Sequence, residues 1–300
     1  MFRNQLSIPR NIAVKVITGK CNFLVFIGLT SWHWFGITYT MNEKVFPSVF
    51  FITGAFVHNS CWDEWRKYFE ANGFETKAPS WPHKNAPAEV LRNRQPDAAI
   101  ASNRLAEVTD YFADAIKEMD KPPVLIGHSI GGLIVQLLLQ QGIGTAGVAI
   151  HPVAPQGVFT FKVSFLKAGW GALGFFTSTK KSYLMPFKSW QYGFTNGMAA
   201  EDQKDGYYRF AIPESKLIVR DTVGKAAHVN YNAKTAPLLI TAGSTDRTIP
   251  PSLNYANYKK YRKNSSLTEY KQFEGRNHFV LGQPTWKEDA DYILNWLSRI

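Results

Sequence analysis

The stretch VLIGHSIGG, residues 124 to 132, leaves this chain few ways to fold. A short apolar run ends at Ile126, the pentad Gly-His-Ser-Ile-Gly follows, and a strongly apolar run, GGLIVQLLLQQG, begins at Gly131. The first run has the length of a buried strand; the second, closed by Gly142, has that of a buried helix. Glycines at 127 and 131 leave the backbone room for a sharp bend, which lifts Ser129 clear of the strand's C-terminal end. The bend also sets the serine at a helix N-terminus, where free backbone N–H groups favour developing negative charge.

From Val45 onward the same alternation recurs. SVFFIT (48–53) is a continuous apolar run of strand length. SCWDEWRKYFEANG spaces Trp62, Trp65, Tyr68 and Phe69 as a helix does and stops at Gly73. FETKAPSW reads as the next strand and ASNRLAEVTDYFADAIKEMD as the next helix. TAGVAIHPVAP, APLLITAG and LTEYKQFEG supply further strands, and KEDADYILNWLSRI closes the chain as an amphipathic helix. Strands alternating with helices make an α/β fold around a mainly parallel sheet. Between about 155 and 230 the rhythm breaks, and aromatics such as Phe165, Trp170, Phe176, Trp190 and Phe194 crowd the segment. An insertion of this size between two strands reads as a helical cap, its rings shared between the cap's own core and a substrate pocket.

Composition narrows the function. The net charge of +11 invites a nucleic-acid reading, but the basic residues are scattered and no helix carries a Lys/Arg stripe. No nucleic-acid partner is expected; a solvated basic surface with weak attraction to anionic membranes or substrates is. Cys21 and Cys61 are too few for a disulfide framework and have no metal-ligand spacing. His58, His83, His151 and His228 are likewise scattered without ligand spacing, so no metal is expected.

Residues 1–40 differ from the rest: Arg3, Arg10, Lys15 and Lys20 stand there without an acidic residue, followed by FLVFIGLTSWHWFGI from Phe23 to Ile37. That run is shorter than the roughly 20 apolar residues of a membrane span, and His33 interrupts it. No small-x-small cleavage site follows. The segment is expected to be an N-terminal extension, a start-site extension or poorly ordered arm, with a signal or anchor as the alternative. Stable membrane insertion is not expected, and the expected location is the cytoplasm unless residues 1–40 act as an export signal.

A serine hydroxyl is a poor nucleophile at neutral pH, so the bend at Ser129 demands a base and an orienting carboxylate further along the chain. LLITAGSTDRTIP puts Asp246 in the loop just past a strand, and YKQFEGRNHF puts His278 just past the last strand. From about Val45 to the C-terminus the sequence thus resembles the α/β-hydrolase superfamily, in its serine-nucleophile, esterase- and lipase-like branch. GHSIGG, GSTDRTIP and GRNHF are each similar to the corresponding family motif, in the family's order of Ser, Asp, His.

The resemblance implies an α/β-hydrolase fold, with a mostly parallel sheet flanked by helices. Residues 41–154 and 231–300 would form its core and residues 155–230 an inserted helical cap. It implies Ser129 as nucleophile, His278 as general base and acid, and Asp246 as the residue that orients the imidazole. Asp221 is the rival carboxylate, but it falls in the cap. His128, beside the nucleophile, is expected to be structural. The oxyanion donors would be the N–H of Ile130 and, from the loop after the first core strand, that of Ala55, with Phe56 second. That loop begins Thr53-Gly54 where the family usually has His-Gly, which removes a side chain and keeps the backbone donor. Phe56, His58, Trp170 and Phe194 are the pocket candidates, and His228 is a further one.

The implied reaction is hydrolysis of a carboxylic ester or related acyl bond of an apolar or aromatic small molecule, through an acyl-enzyme and without a cofactor. Two alternatives share the fold. One is a cofactor-free lyase resembling hydroxynitrile lyases in its GAFVHNSCW loop; the other is a ligand receptor with slow turnover.

Overall fold

The computed structural model describes residues 14–19, 22–28 and 34–39 as strands, together with residues 48–160, 162–261 and 265–300. The chain divides into two compact units, Met1–Phe46 and Pro47–Ile300. In the first, β1 (Val14–Gly19), β2 (Asn22–Gly28) and β3 (Trp34–Tyr39) form an antiparallel sheet in that order. The expected boundary at Met41 and the first 13 residues of the N-terminal extension lie outside the described residues. Among the described residues no helix is long and apolar enough to cross a membrane.

The second unit is built on a six-stranded parallel sheet. Its strands are β4 (Ser48–Ile52), β5 (Glu75–Lys77), β6 (Val124–His128), β7 (Ala146–Ile150), β8 (Leu238–Gly243) and β9 (Thr268–Phe273). They lie in the order β5-β4-β6-β7-β8-β9, every neighbouring pair parallel. β6, β7 and β8 are buried along their whole length, which is why they read as unbroken apolar runs rather than as alternating ones.

Among the described residues the α-helices that precede β7 are α1 (Asp63–Ala71), α2 (Ala88–Asn93), α3 (Ala98–Ser102), α4 (Leu105–Lys117) and α5 (Ile130–Gln140). Between β7 and β8 come α6 (Val163–Leu173), α7 (Phe187–Gly193), α8 (Ala200–Phe210) and α9 (Lys216–Asp221), the helical insertion expected there. α10 (Pro251–Tyr261) and α11 (Trp286–Leu297) complete the chain.

Two elements are shorter than their patterns predict. The strand expected over FETKAPSW pairs only through β5, since Pro79, two residues on, has no N–H to continue a ladder. The helix expected from Ala101 is broken at Asn103, whose extended backbone (φ −53°, ψ 131°) separates α3 from α4.

The strand order creates the functional crevice. After β4 the chain runs outward to β5 and returns to place β6 on β4's other side. The sheet therefore changes winding direction between β4 and β6, and a crevice opens beyond their carboxyl ends, where parallel sheets bind ligands. The loop after β4 (Thr53 to His58) and the bend after β6 both border it.

Candidate active site

Ser129 joins β6 to α5 with φ 56° and ψ −120°, a backbone conformation that a non-glycine residue holds only under strain of about 1–3 kcal/mol. Hydrogen bonds hold it there. Its N–H donates to Ile150 O at 3.0 Å, and its carbonyl accepts from Val153 N at 3.0 Å and Leu133 N at 3.2 Å. The flanking glycines are sterically required. A Cβ at Gly127 would stand 2.2 Å from Gly131 O, and one at Gly131 2.2 Å from Ile52 O.

The structure brings Ser129, His278 and Asp246 into one hydrogen-bonded chain, buried from solvent. Ser129 Oγ lies 3.0 Å from His278 Nε2, and His278 Nδ1 lies 2.8 Å from Asp246 Oδ2. A carboxylate can only accept, so Nδ1 carries the ring's proton and donates it; Nε2 then presents its lone pair to the serine hydroxyl. Asp246 is fixed from behind, its Oδ1 accepting from Thr248 N at 2.8 Å and Ile249 N at 2.7 Å. Burial alone would raise the Asp246 carboxyl. The adjacent His278 and His151 rings outweigh it and hold the carboxyl well below the usual carboxylate range.

Two further histidines support this chain. His128 Nε2 donates to His278 O at 2.8 Å, and the two rings sit 4.9 Å apart. Burial and the neighbouring His278 push the His128 imidazole well below its ordinary range, so it is neutral and braces the His278 backbone. His151, which sequence alone leaves among the scattered histidines, donates from Nδ1 to the same Asp246 Oδ2 at 3.1 Å. It stands directly after β7 at φ 43°, fully buried. His151, Asp246 and His278 are also a group whose donor atoms, within 4.8 Å of one another, could reach a metal ion; a cation there would have to displace both Nδ1–H bonds to Asp246.

The shared oxygen gives a prediction. His151→Ala removes one donor from Asp246 and is expected to lower kcat/KM about tenfold, equivalent to about 1.4 kcal/mol. His151→Asn keeps an N–H near the same place and tolerates a positive φ, so it should restore most of that loss. An alanine variant with the parent's kcat/KM would leave His151 a packing residue only.

Ile130 N–H opens the first turn of α5, where no intrahelical acceptor exists. Across the crevice, Ala55 lies in the loop after β4, and among the described residues its N–H meets no acceptor. Ala55, Ser129 and Ile130 line one cavity. Phe56, the second-choice donor, is excluded from that role: its N–H donates to buried Glu214 Oε2 at 3.2 Å.

A model of the alpha/beta hydrolase family matches residues 49–288. The chain belongs to this family. No curated protein matches it. Among solved structures, this hydrolase is similar in fold to an extracellular α/β-hydrolase from a Paenibacillus species, with a TM-score of 0.63 and 19% identity over 83% of this chain and 98% of that one. A methylesterase from Arabidopsis has a TM-score of 0.60 and 15% identity, with coverage of 85% and 100%. The monoacylglycerol lipase of Paleococcus ferrophilus has a TM-score of 0.58 and 21% identity, with coverage of 83% and 93%.

The hydrolase's cavity beside Ser129 encloses about 220 Å³ and is lined by His278 together with residues of α6 and α9. Phe56, Trp170 and Phe194 line it as expected, and so do Met185 and Leu173. Among the described residues no Asp, Glu, Lys or Arg does. His58 is a correction. Its Nδ1 bonds Ser60 Oγ at 2.8 Å and its Nε2 meets Ala86 O at 3.0 Å, which turns the ring against Ser80, Trp81 and Lys84 instead. His228 is exposed and does not line the cavity either. Asp221, the rival carboxylate, is committed to Arg104 at 2.7 and 2.6 Å and to Leu105 N at 3.1 Å.

Proposed function

We propose that this chain is a serine hydrolase cleaving a carboxylic ester, or a related acyl bond, of a neutral apolar small molecule. One observation carries the reading: the Asp246, His278 and Ser129 chain ends in an apolar cavity that, among the described residues, no Asp, Glu, Lys or Arg lines. A charged substrate would lose its hydration there without a compensating partner.

In the proposed reaction His278 Nε2 takes the Ser129 proton as Oγ attacks the carbonyl carbon. The tetrahedral oxyanion accepts from Ile130 N–H and Ala55 N–H. His278 then protonates the leaving alcohol, the C–O bond breaks, and an acyl-serine remains. Water, deprotonated by the same ring, attacks the acyl carbon and releases the acid. Asp246 stays ionised throughout and stabilises the imidazolium. The steps call on no cofactor. The methylesterase and the monoacylglycerol lipase of similar fold support ester chemistry as the reading.

A fluorophosphonate probe tests the reading directly. Ser129 Oγ is expected to form the bond to phosphorus with fluoride leaving, and His278→Ala should abolish labelling. Modification at another serine, or labelling indifferent to His278, would overturn the assignment.

A further inference from the structure

Exposed large apolar side chains are scattered singly over most of this surface, at Val90, Tyr111, Tyr255 and Leu267 for example. One stretch breaks that pattern. Phe159, Val163, Leu166, Trp170, Phe175 and Phe176 all lie within 18 residues of one another in the chain and are 73, 77, 50, 62, 57 and 91% exposed. Apolar exposure gathered in this way marks a contact surface.

On α6 the arrangement is regular. Val163, Leu166 and Trp170 follow one another at helical spacing along a single stripe, and Ala172, two and a half turns from Val163, is the helix's buried residue on the opposite side. Lys162 and Lys167, both exposed, flank the stripe on its two sides. The helix is firmly seated: Gly174 closes it at φ 51°, and Arg220 donates to Leu173 O at 2.8 Å and Gly174 O at 2.6 Å.

The segment that carries this face has charge of one sign. Between Asp120 and Glu201 the chain contains no acidic residue, while Lys162, Lys167, Lys180, Lys181 and Lys188 all lie there and are exposed. Among the described residues none of these lysines is in an ion pair.

We infer that the outer face of the cap, centred on α6, docks onto an anionic lipid–water interface. An aromatic and aliphatic stripe flanked by lysines is the composition of a helix that lies in the plane of such an interface, rings at headgroup depth and ammonium groups reaching the phosphates. A second copy of this chain fits worse, since a symmetric contact would set lysines against lysines with no carboxylate in the segment between Asp120 and Glu201 to answer them. The face is also continuous with the cavity. Leu166, Trp170 and Phe175 are at once half-exposed or more and part of the lining that reaches Ser129. An acyl chain drawn from the lipid phase would therefore reach the serine over apolar surface; this second half of the inference rests on the proposed hydrolase activity, and the docking does not.

Co-sedimentation of the full chain with vesicles tests it, using phosphatidylcholine alone and phosphatidylcholine with about one-third phosphatidylglycerol. The parent chain and Ser129→Ala, which needs no turnover, are both expected to bind the anionic vesicles and to release as salt rises. Val163→Ser/Phe176→Ser and, separately, Lys162→Glu/Lys167→Glu should each weaken binding about tenfold or more. None of these four residues lines the cavity, so turnover of a short soluble ester and the circular dichroism spectrum should stay those of the parent. No binding by the parent chain would overturn the inference. So would binding that both variants retain, which would place the contact elsewhere, residues 1–46 included. Loss of an oligomer in the Val163→Ser/Phe176→Ser chain, with vesicle binding absent, would instead make the face a contact between copies.

Discussion

Ser129→Ala is expected to lower kcat toward a neutral ester by at least about 10⁴-fold and to leave the thermal midpoint close to the parent's. The activity loss follows because the described neighbours are committed elsewhere: His128, the adjacent side chain, is turned to His278 O, and the cavity's two threonine hydroxyls, Thr222 and Thr248, donate to Val219 O and Gly193 O. Stability should hold because the bend is kept by backbone bonds to Ile150, Val153 and Leu133, none of which uses the hydroxyl. Residues that act as one unit are not additive, so Ser129→Ala/His278→Ala should be no slower than Ser129→Ala alone. Steady-state kinetics on the three variants decides it. A double variant far slower than the serine variant would mean that His278 serves another reaction path.

Much of this site was legible before any coordinates, because its signals are local. The glycine spacing around Ser129, the strand before it and the helix after it all lie within one short segment; Asp246 follows a strand that announces itself by its apolar run, and His278 follows β9, a more polar and only partly buried strand. What pairing over distance creates was not legible. His151 looked isolated because its partner Asp246 is 95 residues away, and only the β7–β8 register sets the two strand ends side by side. His58 was placed near the pocket from its loop, yet Phe56 at φ 66° reverses the backbone just before it and sends the ring elsewhere. The cap's aromatic density was plain, whereas its division was not: Trp190 is wholly buried and Phe176 is 91% exposed, though composition treats them alike. Periodicity identifies faces only where a helix has already been located.

Glu214→Ala is expected to destabilise the fold by about 3–5 kcal/mol, read as a lowered denaturant midpoint, and to reduce kcat in the molecules that remain folded. Glu214 is fully buried and carries three bonds: from Lys84 Nζ, from Phe56 N at 3.2 Å and from Ser215 N at 2.9 Å. Lys84 is almost as buried, and it lies 4.1 Å from the Trp81 ring centre. Burial depresses the Lys84 ammonium, and Glu214 only partly offsets that, so removing the carboxylate strands a charge that water cannot reach. The same change frees Phe56 N–H and loosens the seam formed by Ile212 N to Phe56 O (3.0 Å) and His58 N to Phe210 O (2.8 Å), which fastens the cap to the loop holding Ala55. With Ala55 N–H as the proposed oxyanion donor, a displacement of a fraction of an ångström would affect the transition state more than the bound ester, so the activity loss should fall on kcat rather than KM. Glu214→Gln leaves one acceptor oxygen where the carboxylate has two, so it keeps one of the two backbone N–H bonds and should lose less on both counts than Glu214→Ala. Lys84→Met/Glu214→Gln, which removes both charges, should recover most of the stability, since neither partner is then left buried and ionised. A double variant as unstable as Glu214→Ala would mean that the cost lies in packing against Trp81 and not in the unpaired charge.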